Sequence, residues 1–167
     1  TYFCSANYYS LTGKEQDKFT YEITDKDFSR LLKNLPWYDL IGRIQVRNSK
    51  GSVWGGSCFG MSSVAVLVYG GIINPSNYGC NGIDGMNITM NQKGSKDVGQ
   101  VESLVNYYHL MQVIGKIANA RGSFSPWDES KNLKNLIDTM RAADGSPVVI
   151  GLKFPGGGHA VVGYDLQ

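Results

Sequence analysis

A cysteine and a histidine occur in two short glycine-rich motifs, about a hundred residues apart in a chain of 167 residues. Cys58 lies in the first motif, Trp-Gly-Gly-Ser-Cys-Phe-Gly-Met at positions 54–61. His159 lies in the second, Gly-Gly-Gly-His-Ala-Val-Val-Gly-Tyr at positions 156–164. A thiolate is a strong nucleophile, and an imidazole beside it can take its proton. The two residue types together are suited to covalent acyl transfer.

The cysteine motif places small residues before an apolar stretch. We predict that Ser57 or Cys58 opens a buried helix that is apolar nearly all round and ends near Gly70. A helix N-terminus presents unpaired N–H groups and a partial positive charge, which favour a thiolate over a thiol. The N–H of Cys58 could also face a negatively charged carbonyl oxygen. The alternative is a buried structural cysteine that follows a glycine-rich turn.

The histidine motif combines a turn with an apolar strand. We predict a turn over residues 155–158 and a strand over residues 159–164, so that His159 stands at the start of the strand. An imidazole at the mouth of a β-core is well placed to face a cleft. The alternative is a core histidine that donates to a backbone carbonyl.

Together the two motifs resemble those of the papain-like cysteine peptidases. The variant Gly-Gly-Ser-Cys-Phe-Gly-Met-Ser at positions 55–62 is most similar to bacterial secreted members of that group. The resemblance implies that Cys58 starts the central helix of a helical lobe and that His159 faces it from a strand of a β lobe. It also implies secretion and a reaction that needs no cofactor.

The resemblance implies a cysteine endopeptidase that hydrolyses peptide bonds. His159 would take the thiol proton and form a thiolate–imidazolium pair, and Cys58 would attack the peptide carbonyl to give an acyl-enzyme. His159 would then protonate the leaving amine and activate a water molecule. The implied catalytic residues are Cys58 and His159, and the implied partner is a peptide or protein substrate.

The sequence departs from the family pattern at two points before the histidine. The family has a glutamine about six residues before the nucleophile, where it helps to bind the oxyanion; this chain has Ser52 there, and Gln45 lies further away. The separation of Cys58 from His159 is also shorter than the ~130–150 residues of the plant and lysosomal enzymes. The oxyanion donor besides the Cys58 N–H is therefore left open.

A third departure concerns the residue that orients the imidazole. In the family it is an Asn or Asp on the strand after the histidine, whereas this sequence ends at Gln167. Asp165 lies on the same predicted strand as His159, about 20 Å away at ~3.3 Å per residue, so it cannot orient the ring. We therefore expect a second polypeptide segment to complete the β lobe and cover its open edge.

Two other functions remain open on the same motifs. One is a catalytically silent papain-like domain that only binds, because Ser52 and the missing third residue depart from the family. The other is a different cysteine-dependent acyl transferase or amidase. The reactivity of Cys58 distinguishes enzymes from non-enzymes.

The composition is that of an ordinary globular protein. A net charge of +2 with scattered Lys and Arg gives no indication of nucleic-acid binding. The longest apolar stretch, residues 64–73, is far shorter than the ~18–20 residues that cross a bilayer, so we expect no membrane partner. No His, Cys and Asp residues have the spacing of metal ligands, so we predict no metal site.

Three further residues have possible chemical roles. His109 lies in a predicted helix beside two tyrosines, where we favour a surface or packing role over a catalytic one. Cys4 and Cys80 could form a disulfide and leave Cys58 free, or all three thiols could be reduced.

The order of elements, helices first and strands last, predicts an α+β fold in a single papain-like domain over residues 1–167. The helical lobe would cover about residues 25–145 and the incomplete antiparallel β lobe about residues 146–167. Besides the helix at Cys58, we predict helices from Asp25 or Asp27 to before Pro36, over 97–120, and from about 125 to 143. We predict a strand over 146–153, a turn over 48–51 and a long surface excursion over 74–96, and 39–46 is ambiguous.

Overall fold

The computed structural model describes residues 21–22, 25–49, 53–54, 57–90, 98–112, 125 and 127–165. Within these ranges the chain forms six α-helices, four strands and one short 3-10 helix. In chain order they are β1 (Tyr21–Glu22), α1 (Asp25–Asn34), α2 (Leu40–Ser49), β2 (Val53–Trp54), α3 (Cys58–Tyr69), the 3-10 helix (Pro75–Tyr78), α4 (Gly82–Met90), α5 (Val98–Met111), α6 (Glu129–Ala142), β3 (Val148–Phe154) and β4 (Gly157–Gly163).

The strands pair in two small antiparallel sheets. β1 pairs with β2, and β3 pairs with β4 in a hairpin that aligns Val148 with Gly163. Gly156 lies in the turn of this hairpin with φ 88°, a backbone conformation that favours glycine. β4 begins at Gly157, so the strand starts before His159 rather than at it.

The mixture of helices and strands confirms the predicted α+β class. The strand-rich part follows the helices in the chain, as the sequence predicts. The more specific papain-like arrangement of lobes, and the division of one domain at about residue 145, stay predictions.

Helix α3 lies between helix α5 on one side and the β3–β4 hairpin on the other. The side chains of Met61 and Val64 are buried at 2% and 0% exposure in the main core. Gly60 allows α5 to approach closely, because a Cβ at this position would overlap the carbonyl oxygen of Val105. The core also includes buried residues from the segment after α3 and from α4 and α5: Ile73, Cys80, Met86, Val101, Leu104 and Val105.

A second group of buried residues joins α1 and α2 to the other end of α5. Its members are Leu31, Leu35, Val46, Tyr107 and Leu110. The predicted helix before Pro36 is confirmed as α1, and the ambiguous stretch after it is helical, as α2. The predicted turn over 48–51 is wrong at its start, because α2 continues through Ser49.

The surface excursion predicted over residues 74–96 is wrong in its described part. Residues 75–78 form a 3-10 helix and residues 82–90 form α4. Met86 is fully buried and Ile83 packs on the main core, while Asn81 and Asp84 are exposed. The Asn and Gly residues suggested a loop, but Asn74 and Gly79 flank the 3-10 helix and Gly82 begins α4.

The last predicted helix begins later than the sequence suggested. Asp128 caps α6 by accepting a hydrogen bond from the Lys131 N–H at 2.9 Å, so α6 starts at Glu129. Its apolar residues are only partly covered, and Leu133 is 58% exposed. The helix predicted over 97–120 is confirmed as far as Met111, and residues 113–120 lie outside the described ranges.

Candidate active site

Cys58 is the first residue of α3, as the sequence predicts. Ser57 precedes it at the N-cap position, and the Ser57 carbonyl accepts the first helical hydrogen bond from the Met61 N–H at 2.9 Å. The Cys58 side chain is partly exposed and belongs to a free cysteine. A partly exposed thiol at a helix N-terminus is accessible to react as a nucleophile.

The Ser57 side chain does not cap the helix that it precedes. Its hydroxyl instead donates to the Oδ1 atom of Asn106 on α5, at 3.2 Å. Ser57 and Asn106 are 0% and 1% exposed. A buried hydrogen bond to α5 therefore holds Ser57, the residue before Cys58, in place.

His159 lies near the start of β4, opposite Leu152 of β3. Its side chain is partly buried, while Gly157 and Gly158 before it are exposed and Ala160 after it is buried. The imidazole is thus at the boundary between the exposed hairpin turn and the packed end of the strand. This position agrees with the predicted one, apart from the earlier start of the strand.

A buried hydrogen bond connects the helix of Cys58 to the strand of His159. The hydroxyl of Ser62 donates to the carbonyl oxygen of Ala160 at 3.1 Å, and Ser62 is 4% exposed. Ser62 lies one helical turn after Cys58, on the same side of α3. Ala160 directly follows His159, so this bond joins the helix of Cys58, one turn after the cysteine, to the residue next to the histidine.

The two candidate catalytic side chains are not hydrogen-bonded to each other. Both residues are described by the structure, and neither the Cys58 thiol nor the His159 ring takes part in a hydrogen bond there. Catalytic hydrogen bonds are often formed only when substrate binds, so this arrangement is compatible with a Cys–His pair.

The other residues that the sequence analysis considered lie further away or outside the described ranges. Ser52 is outside them, and Gln45 is in α2. Asp165 follows the end of β4, whereas His159 is near its start, in keeping with the prediction that Asp165 cannot orient the ring. Asp165 lines a separate cavity of about 370 Å³ together with Arg141 and Asp144.

His109 is a partly buried residue of α5 that packs on α3. A Cβ on Gly60 would lie 3.0 Å from the His109 Cβ, and the Gln112 Nε2 atom is 3.1 Å from the His109 Nε2 atom. Burial lowers the pKa of His109 from 6.5 to about 4, so the ring is neutral near pH 7. These contacts agree with the predicted packing role.

Cys80 is buried, and its sulfur lies 3.3 Å from the carbonyl oxygen of Tyr78. Cys4 lies outside the described residues, so a Cys4–Cys80 disulfide stays a prediction.

Among the described residues, no three His, Cys, Asp or Glu side chains are grouped to hold a metal ion. No helix in this part of the chain is long and apolar enough to cross a membrane.

The contributions of Ser62 and Asn106 are not predictable from the two motifs. Neither residue has a type or spacing in the two motifs that indicates a contact between elements. A signal for Asn106 was present, because it follows Leu104 and Val105 directly in a largely apolar helix. A polar residue at such a position needs a buried partner, although its identity cannot be read from the local sequence.

Comparisons with protein-family models, with curated proteins and with solved structures found no match for this chain.

Proposed function

We propose that the protein is a papain-like cysteine peptidase in which Cys58 is the nucleophile and His159 the general base. The observation that carries the proposal is the buried hydrogen bond from Ser62 to the Ala160 carbonyl, at 3.1 Å. It joins α3 one turn after Cys58 to the β4 residue that directly follows His159. A partly exposed free thiol at a helix N-terminus adds the required nucleophile.

In the proposed reaction His159 accepts the proton of the Cys58 thiol. The thiolate then attacks the carbonyl carbon of a peptide bond, and the C–N bond breaks as the imidazolium gives its proton to the leaving amine. A water molecule, deprotonated by His159, next attacks the thioester, and the Cys58 sulfur leaves. The N–H groups at the start of α3 can stabilise the negative oxygen in both steps.

The substrate class of this proposal is an extended peptide. Gly157 and Gly158 directly precede His159, are exposed and carry no side chains of their own, which favours the close approach of a substrate backbone. The proposal includes a second polypeptide segment that adds strands to the hairpin. β3 has no second strand beside it within the described residues, and its Leu152 and Phe154 are 48% and 52% exposed.

A catalytically silent binding domain is the second candidate function. It is favoured by one observation, namely that neither side chain of the candidate pair forms a hydrogen bond among the described residues. In such a domain Cys58 would react with general thiol reagents but not with inhibitors that need an activated cysteine.

A peptidyl vinyl sulfone tests the proposal, because it alkylates an activated cysteine in a peptide-binding site. The peptidase proposal predicts one covalent adduct, which mass spectrometry of peptides from the labelled protein places at Cys58. Cys80 is an internal control, since it is buried. Cys58→Ser should remove the adduct, whereas Cys80→Ala should keep it. An unmodified Cys58 in folded protein would contradict the peptidase proposal and favour the binding domain.

A further inference from the structure

The serine at the start of α3 points its hydroxyl in an unusual direction. A serine at the N-cap normally accepts a hydrogen bond from an N–H of the first helical turn. The Ser57 side chain makes no such bond and donates to Asn106 Oδ1 at 3.2 Å. The Ser57 backbone, at φ −110° and ψ 33°, also lies outside the extended region that is usual for a capping residue, so Ser57 is held with its hydroxyl towards Asn106.

The missing side-chain cap matters because the N–H groups of the first turn of α3 would bind the thiolate and the oxyanion in the proposed reaction. The N–H groups of Cys58, Phe59 and Gly60 precede the first helical hydrogen bond, which joins the Met61 N–H to the Ser57 carbonyl. An oxygen of Ser57 bound to one of them would compete with a thiolate or an oxyanion for the same donors. A turn without a side-chain cap keeps its partial positive charge for the reacting groups.

Helix α5 is held firmly against this first turn. Val105 and Asn106 are almost completely buried. A Cβ on Gly60 would overlap the Val105 carbonyl oxygen and lie 2.9 Å from the backbone nitrogen of His109. The position of Asn106 relative to Ser57 is thus fixed by close packing of the two helices around Gly60. A buried amide held in this way can impose an orientation on the hydroxyl that contacts it.

We propose that Asn106 is a positioning residue for Cys58: it turns the Ser57 hydroxyl away from the first turn of α3 and leaves the N–H groups there for the thiolate and for the oxyanion. This inference rests on the proposed peptidase function and adds a role for α5. Asn106 acts through Ser57 and touches neither the substrate nor the reacting atoms.

The test is the rate of alkylation of Cys58 by iodoacetamide as a function of pH, in folded protein checked by circular dichroism. Asn106→Leu removes the acceptor, so Ser57 turns to cap α3 and the rate profile shifts to higher pH. A helix-terminus contribution of about 0.7–1.4 kcal/mol corresponds to alkylation at pH 6 that is about threefold to tenfold slower. Asn106→Ala carries the same prediction if the leucine variant does not fold.

The double variant Ser57→Ala with Asn106→Leu separates positioning from support of the fold. It removes the competing hydroxyl, so the profile should return to that of the wild type although the buried hydrogen bond is gone. Asn132→Leu is the matched control. Asn132 is also a helical asparagine that is hydrogen-bonded to a serine, through the backbone N–H and carbonyl of Ser125 at 2.8 Å each, but it lies in α6. This control should leave the profile unchanged.

Two results would overturn the inference and one would overturn the proposed function beneath it. An unshifted profile in Asn106→Leu, or a double variant as slow as the single one, means that Asn106 only supports the fold. A wild-type Cys58 that reacts at pH 6 no faster than glutathione removes the peptidase proposal itself. The two failures are distinguishable because the second is measured on the wild type alone.

Discussion

Two buried hydroxyl groups hold the residues beside the candidate catalytic pair. Ser57 donates to Asn106 and Ser62 donates to the Ala160 carbonyl, at 3.2 Å and 3.1 Å. Burying a hydroxyl without a partner costs about 1–3 kcal/mol, so each of these contacts also specifies how its two elements meet. At the scale of single residues, the neighbours of Cys58 and His159 define the site more firmly than the pair itself does.

Replacement of Ser62 tests the contact between helix and strand. Ser62→Ala leaves the buried Ala160 carbonyl without this donor, and we expect the free energy of unfolding to fall by about 1–2 kcal/mol. Because β4 is then held less firmly, the alkylation of Cys58 at pH 6 should also slow. Urea unfolding and the alkylation rate measure the two effects. Ser63→Ala on the same helix is the control, and equal losses in both variants would contradict the assignment.

His109 predicts a specific dependence of stability on pH. Burial holds its folded-state pKa at about 4, below the unfolded value of 6.5. The unfolded state therefore binds a proton first, and the stability present above pH 6.5 is lost as the pH falls towards 4. Between pH 7 and pH 5 this loss is about 2 kcal/mol.

His109→Gln isolates that contribution from those of other groups. The difference in unfolding free energy between the wild type and the variant should shrink by about 2 kcal/mol from pH 7 to pH 5. Chemical unfolding at the two pH values measures it. A difference that is constant with pH would mean that His109 is protonated without penalty in the folded protein.

At the scale of elements, helices with a strong local pattern were predictable and those with a mixed composition were not. The run of apolar residues after Cys58 predicted α3, and the alternation of turn and apolar residues predicted the β3–β4 hairpin. α4 was missed because its Asn and Gly residues favour loops locally. The burial of Met86 in the main core stabilises the helix there, and this tertiary contribution cannot be read from composition.

Gly60 determines how closely α3 and α5 pack. In Gly60→Ala the new Cβ would overlap the Val105 carbonyl oxygen, a backbone atom that cannot move independently of α5. We expect a loss of about 2–3 kcal/mol in the free energy of unfolding, as in other overpacked cores. Gly151→Ala is the control, because its Cβ would meet nothing within 4 Å. Similar thermal unfolding of the two variants would show that the helices separate easily.

At the scale of the whole molecule, the sequence predicted the α+β class but not the contacts that assemble it. Ser57 and Asn106 are 49 positions apart, and Ser62 and Ala160 are 98 positions apart. Periodicity and capping signals report on a few neighbouring residues, so they cannot identify partners at such distances. Cys58 and His159 were predictable as candidates only because each has a recognisable motif around it.

The hairpin gives a prediction about a larger assembly. If a second polypeptide segment pairs with β3, the amide groups of residues 151–154 that do not face β4 become protected from hydrogen exchange. Exchange should then be slower in a longer version of the protein that carries this segment than in the 167-residue chain. Residues 58–69 of α3 serve as the internal reference. Equal exchange in both versions would exclude pairing at this edge.

The central claim is that His159 activates Cys58, and the most direct measurement is the rate at which iodoacetamide alkylates Cys58 at pH 6 in the wild type and in His159→Ala. We expect rapid alkylation in the wild type and a rate at least about tenfold lower in the folded variant, because the thiolate loses the imidazolium beside it. His109→Gln should react like the wild type, because the native His109 ring contacts Gln112 and the residue packs on Gly60. Equal rates in the wild type and in His159→Ala would contradict the claim.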